Sequence, residues 1–292
     1  MNLVWGGSYL VADIGLRAMP PGDLAAWRFL VASLFFFPLL LLTRTPIRLA
    51  RRDVLPTAAI GAVAVAGSYL LSYEGIMLAS STDRAIVTPM EPVALAILAV
   101  IFLHERLRPR QWAGIAVACG GAYLLIARNA LSGGFWNERQ ALGQGLMLAS
   151  LFTEGMYSII GKPLLSRYRP LMLTAWAMLF ATLFLFTCIT LRSGFPAPPP
   201  TRAAWGAILF LAIPCTVVGY TLWYTYLEHM PAGVLGVFIF LQPVMGVALG
   251  VRFRGERLTQ YLIVGAILIV LGVWLTGSSS AAEPLPDPEP SA

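Results

Sequence analysis

Charge is scarce in this sequence. Acidic and basic residues make up 12% of its 292 positions and apolar residues 58%, about half the charge of an ordinary soluble domain. Histidine is scarcer still, with only His104 and His229. No metal-spaced cluster, Gly-x-Ser-x-Gly elbow or Walker A phosphate loop accompanies them. Hydrolase, metalloenzyme and ATP-driven pump therefore lack their sequence signatures. No catalytic residue, metal ligand or cofactor is assigned, and the chain is not expected to be an enzyme. Cys119, Cys188 and Cys215 all fall inside apolar runs, where they read as small packing residues rather than a disulfide or metal set. The opening, Met1 to Leu10, has no basic stretch, so a cleavable signal peptide is not expected. The net charge of +6 comes mostly from loop arginines, which orient membrane helices. Nucleic acid is not an expected partner.

Apolar length is what the chain has in abundance. Ten runs lie between charged or Pro/Gly-rich breaks, at about 2–19, 24–43, 54–77, 83–103, 110–127, 144–162, 170–191, 204–227, 232–253 and 260–276. A hydrocarbon core of roughly 30 Å takes about 20 helical residues to cross. Little two-residue alternation runs through these segments, so helices fit and a barrel does not. The expected fold is an all-α polytopic membrane protein of ten transmembrane helices. The longest internal break, 128–143, divides residues 2–127 from residues 144–276. The 193–202 connection carries Pro196, Pro198, Pro199 and Pro200 and should be stiff. The tail, 277–292, is rich in Pro, Ser, Ala and acid, a composition that predicts disorder.

The two parts repeat each other. Residues 69–124 fall on 220–275 at an offset of 151, matching Tyr69 to Tyr220, Tyr73 to Tyr224, Pro92 to Pro243, Gly114 to Gly265 and Gly121 to Gly272. Earlier segments match at 149: Gly6 with Gly155, Pro21 with Pro170, Ala26-Trp27 with Ala175-Trp176. The slip of two falls between residues 37 and 69. Five spans per unit is an odd number, so the second unit enters the membrane from the opposite side. That makes the repeats inverted, and places a site between them. Arg44, Arg48, Arg51 and Arg52, then Arg106, Arg108 and Arg110, load the second and fourth connections. By the positive-inside rule both termini are cytoplasmic, although Arg252, Arg254 and Arg257 fall outside in this arrangement.

Several landmarks carry a family resemblance over residues 2–276. They are the Trp5-Gly6-Gly7-Ser8 start and the Ala26-Trp27-Arg28-Phe29 opening of the second span. Each unit also has a Pro-containing fourth span ending in Glu-Arg-Leu, Glu91-Pro92 to Glu105-Arg106-Leu107 and Gln242-Pro243 to Glu256-Arg257-Leu258. In these features the chain resembles the EamA-type permeases of the drug/metabolite transporter superfamily. The resemblance implies a bacterial-type inner (plasma) membrane protein with a central cavity. It further implies export or exchange of small metabolites such as amino acids or amphipathic organic compounds. The leading reading is a secondary transporter working by alternating access as a monomer, with a small-molecule substrate, the lipid bilayer and protons as partners. An uncoupled channel or facilitator is the alternative, and an integral-membrane enzyme the least favoured.

Ionisable groups within a span are costly and mark function by default. Glu91 is the deepest acid, and its repeat partner is the uncharged Gln242. It reads as a proton-coupling or substrate-ammonium site, or else as a capping carboxyl beside Pro92. Glu74, Asp13 and Glu154 each lie in a span and could touch substrate or a coupled ion, or face a watery vestibule. Arg28, opposite Ala177 in the repeat, could meet a substrate carboxylate or snorkel to the interface. Tyr69, Tyr73, Tyr220, Trp223 and Tyr224 share equivalent spans, and Trp5, Tyr9, Trp27, Tyr157 and Trp176 add rings from others. Such rings suit a cavity for aromatic or ammonium groups, or an interfacial belt. Pro89, Pro92 and Pro243 are expected to kink the fourth and ninth spans as a gate. The glycines of the fifth and tenth spans, with Gly246 and Gly250, read as packing contacts, and the Glu-Arg-Leu corners as turns with a local ion pair.

Overall fold

A computed structural model of the chain describes residues 1–78, 87–127, 138–242, 244–245, 248 and 260–278. Among these residues every regular element is helical. The first half gives α1 (Asn2–Leu16), α2 (Pro21–Leu42), α3 (Arg51–Ala59), a π-helical segment (Ile60–Gly67), α4 (Ser68–Leu78), α5 (Glu91–Phe102) and α6 (Pro109–Ala127). The second gives α7 (Glu138–Leu165), α8 (Pro170–Ser193), α9 (Arg202–Phe210), a second π-helical segment (Leu211–Val218), α10 (Gly219–His229), α11 (Ala232–Val237) and α12 (Gln260–Ser278). Four helices, Pro21–Leu42, Arg51–Ser72, Pro170–Ser193 and Arg202–His229, are long and apolar enough to cross a membrane.

Local physics sets the boundaries. Pro21 and Pro170 open α2 and α8, at the first turn where a missing N–H leaves nothing unpaired and φ is already helical. Thr201 caps α9 by accepting from the Ala204 N–H. At the end of α5, His104 adopts φ 54° and the Glu105 N–H reaches back to the Ala99 carbonyl at 3.2 Å. That left-handed residue with a bond six residues back is a helix-stopping motif.

Element boundaries recur at the sequence offset. α3 and α9, the two π-helical segments, α4 and α10, and α6 and α12 are each displaced by 151 positions, while α2 and α8 start 149 apart. The slip of two therefore lies not in a loop but in the helices: α8 has 24 residues and α2 has 22, so their ends are already 151 apart, and the connections 43–50 and 194–201 are equal in length. α7 begins at Glu138, earlier than the apolar run alone indicates, because its first turns are polar but still helical.

Equivalent helices also meet one another. α2 packs on α8, where the hydroxyls of Ser33 and Thr182, 149 positions apart, pair at 3.1 Å. Trp27 stands edge-on to Phe186 at 6.1 Å, and its counterpart Trp176 stands edge-on to Phe37 at 6.0 Å. Each contact is the other with the halves exchanged. α6 lies antiparallel on α12: a Cβ on Gly121 would sit 2.7 Å from the Gly265 carbonyl oxygen, and one on Gly272 would sit 2.5 Å from that of Gly114. Only glycine lets these backbones come so close, and in a membrane such close approach is what holds helices together.

Candidate functional site

The central cluster draws on both halves. From the first come Trp5 on α1, Arg28 on α2, Tyr69 on α4 and Glu91 at the start of α5. From the second come Glu154 and Tyr157 on α7, Thr216 on the π-helical segment and Tyr220 on α10. Arg28 donates from Nε to Thr216 Oγ1 at 2.9 Å and from Nη1 to Tyr69 Oη at 2.7 Å. Its guanidinium also lies 5.5 Å from the Tyr69 ring centre. Tyr69 and Tyr220, equivalents in the repeat, are joined through their hydroxyls. Glu154 acts electrostatically on Arg28 and on Glu91. Trp5, Arg28, Tyr69, Glu91, Glu154 and Tyr220 all remain partly accessible.

Rings surround one side of this cluster. Trp5 donates from Nε1 to the Cys215 carbonyl at 2.9 Å and stands edge-on to Tyr220 at 5.7 Å. Tyr157 stands edge-on to Tyr220 at 5.1 Å and stacks on Tyr224 at 4.2 Å and 10°. Behind them Trp223 donates to Ser158 Oγ at 2.9 Å and Tyr224 donates to the Tyr157 carbonyl at 2.9 Å. Gly161 lies against the Tyr224 ring, with no room for a Cβ. At 5% and 0% exposure, Trp223 and Tyr224 form the layer that backs the accessible rings.

The π-helical segment explains how Thr216 reaches Arg28. Its hydroxyl bonds back to the Leu211 carbonyl five residues earlier at 2.9 Å. The wider turn shifts side chains relative to an α-helical register, and such turns recur at functional positions. Glu91 sits at a second irregularity. A 3₁₀ turn over Thr88–Met90 precedes it, and α5 starts at Glu91 itself. Its counterpart region has a 3₁₀ turn over Phe238–Phe240, just before the buried Gln242. Pro92 therefore does not kink a continuous helix as the sequence suggested. It occupies the first turn of a new one, where proline is tolerated; Pro89 lies within the 3₁₀ turn.

Other candidates are placed elsewhere. Trp27 donates to the Ala197 carbonyl at 2.8 Å and Trp176 to the Ile47 carbonyl at 2.9 Å. Both tie bundle ends to connections instead of joining the central rings. Glu74 pairs with Arg192 at 2.9 Å, with side chains 50% and 67% exposed, because it lies in the last turns of α4. Pro243 and the side chains of Tyr9, Asp13 and Tyr73 lie outside the described residues, as do Gly246, Gly250 and the Glu256-Arg257-Leu258 corner. Among the described residues no group of three or more His, Cys, Asp or Glu is placed to hold a metal.

The first Glu-Arg-Leu corner differs from expectation. Glu105 accepts from Lys162 Nζ at 2.7 Å, from the Ala232 N–H at 2.7 Å and from the Gly233 N–H at 3.0 Å. Its ion pair is therefore not local but spans the two halves, and its carboxylate satisfies the open N–H groups that begin α11. Sequence reasoning also missed Thr216 and the partnership of Glu154. One signal for the latter was present: the 149 offset sets Glu154 opposite Trp5.

Comparison with known proteins gives consistent results. The model of the EamA-like transporter family matches residues 1–127 and 141–278. A protein of Archaeoglobus fulgidus described as an uncharacterized transporter is 27% identical over 278 residues, covering 94% of this chain and 93% of that one. A probable terminal-alkyne amino-acid exporter of Streptantibioticus cattleyicolor is 26% identical, covering 94% and 89%. A probable amino-acid metabolite efflux pump of Escherichia coli is 26% identical, covering 94% and 91%. One crystal structure superposes with a TM-score of 0.83 at 21% identity, covering 96% of this chain and 94% of that chain, a likeness of fold.

Proposed function

This chain belongs to the EamA-like transporter family, a polytopic membrane transporter, and from that premise we propose a secondary transporter that exports or exchanges amino-acid metabolites by alternating access. Ten spans form two inverted five-helix repeats, residues 2–127 and 144–276, rocking about the central cluster. One observation carries the reading: a partly accessible set of ionisable and aromatic side chains, drawn from both repeats, lies on otherwise apolar helices. Groups of that kind are too costly within a bilayer to be kept without a use. The names of two relatives, an amino-acid exporter and an amino-acid metabolite efflux pump, point to the substrate class.

The protein sits in the plasma membrane with both termini cytoplasmic. Supporting this, Arg167 and Tyr168 in the connection after α7 bind Asp53 at 3.0 and 2.7 Å. That connection thereby joins the arginine-rich start of α3, Arg51 and Arg52, on one face. Glu91 is the coupling group. In proteoliposomes, Glu91→Gln should abolish uptake driven by a pH gradient at every substrate concentration, while exchange persists once substrate is raised to saturation. Undiminished driven uptake would remove Glu91 from coupling, and absence of any amino-acid flux in the wild type would remove the substrate class.

A further inference from the structure

Three members of the central cluster break the repeat together. Arg28 stands opposite Ala177 and Glu154 opposite Trp5, each 149 positions apart, and Glu91 opposite Gln242, 151 apart. Their surroundings are duplicated: Tyr69 meets its own counterpart Tyr220, and Ser33 meets Thr182. Charge is therefore placed unequally on a duplicated scaffold, with Arg28 and Glu91 from the first half and Glu154 from the second.

The partners of these charges are unequal. Arg28 directs Nε to Thr216 and Nη1 to Tyr69. Among the described residues, neither Glu91 nor Glu154 receives a hydrogen bond or an ion pair, although both are partly accessible and each lies within electrostatic reach of the other. Glu154 faces Arg28 and Glu91 faces Glu154, so two carboxyl groups accompany one guanidinium and carry a surplus of negative charge when ionised. Next to them, Tyr220 lies within the electrostatic reach of Glu154 and packs against Trp5 and Tyr157. Open carboxyl oxygens beside ring faces and edges are the chemistry that holds an ammonium group.

We infer that Glu91 and Glu154, beside the partly accessible rings of Trp5 and Tyr220, bind the ammonium group of the substrate, and that the substrate needs no carboxylate. This inference rests on the transporter reading above. It makes the site a receptor for primary amines, of which amino acids are one kind. Masking the amine abolishes recognition, while removing the carboxylate leaves it.

Equilibrium binding to the full chain in lipid nanodiscs tests this with L-phenylalanine, 2-phenylethylamine and N-acetyl-L-phenylalanine. The amine should bind within about threefold of the amino acid and the N-acetyl compound at least about tenfold more weakly, the loss of a charge-assisted contact. Glu91→Gln and Glu154→Gln should each weaken binding of the amine by about tenfold or more, with elution on size exclusion unchanged. Two substitutions are used so that one folding failure leaves the other to decide. Equal binding of the N-acetyl compound, failure of the amine where phenylalanine binds, or wild-type affinity in both variants would each overturn the inference. So would absence of binding by all three compounds from a protein that moves other metabolites in proteoliposomes. The transporter reading itself falls only if no solute moves.

Discussion

At the scale of single residues, neighbouring aromatics do different work. Tyr220 is partly accessible and touches Tyr69, Trp5 and Tyr157, whereas Tyr224 is fully buried beneath Tyr157. Helical spacing put both on one face, yet a face four residues long passes from the cluster into the packing layer. Tyr224→Ala should empty a filled space and cost on the order of 3–5 kcal/mol, as large-to-small changes at buried aromatics do. Thermal unfolding in detergent should show a much lower Tm, and an unchanged Tm would move Tyr224 out of the core. Tyr220→Phe keeps the ring but removes the hydroxyl that meets Tyr69. It should weaken substrate binding while leaving Tm near wild type, and unchanged binding would separate that hydroxyl from recognition.

At the scale of elements, glycines that look alike in sequence separate sharply. Gly120 and Gly121 are adjacent on α6, but a Cβ at Gly120 meets nothing within 4 Å while one at Gly121 falls 2.7 Å from the Gly265 carbonyl oxygen. Gly121→Ala should push α6 and α12 apart and lower Tm and folded yield. Gly120→Ala should be tolerated, since alanine is the better helix former by roughly 1 kcal/mol. Equal behaviour of the two variants would mean that the α6–α12 contact is not close. The Glu105 clamp belongs to the same scale. One carboxylate starts α11 and pairs with Lys162 from the opposite half, so a corner read as a local turn is a cross-repeat joint.

At the scale of the whole molecule, the proposed inversion would set which connections share a side of the membrane. Arg169, between α7 and α8, and Phe195, between α8 and α9, are both exposed and should lie on opposite faces. Single cysteines, Arg169→Cys and Phe195→Cys in a background lacking Cys119, Cys188 and Cys215, test this with a membrane-impermeant maleimide. On intact cells Phe195→Cys should label, and Arg169→Cys should label only after permeabilisation. Labelling of both from outside would overturn the proposed topology.

Composition, run length and the two offsets were enough to establish a helical membrane protein with an internal repeat, because hydrophobic length and residue identity are local quantities. They were also enough to single out Arg28 and Glu91 as places where the repeat breaks. Sequence alone did not show that Glu154 faces Arg28 and Glu91, nor that Thr216 holds Arg28. Those facts depend on helices distant in the chain arriving at one point, and on a π-helical turn that rotates side chains out of their expected register. Tertiary structure likewise sent Trp27 and Trp176 to the bundle ends and Glu74 to the surface. Periodicity tells which face of a helix a residue occupies, but what that face meets is fixed only when another helix packs against it.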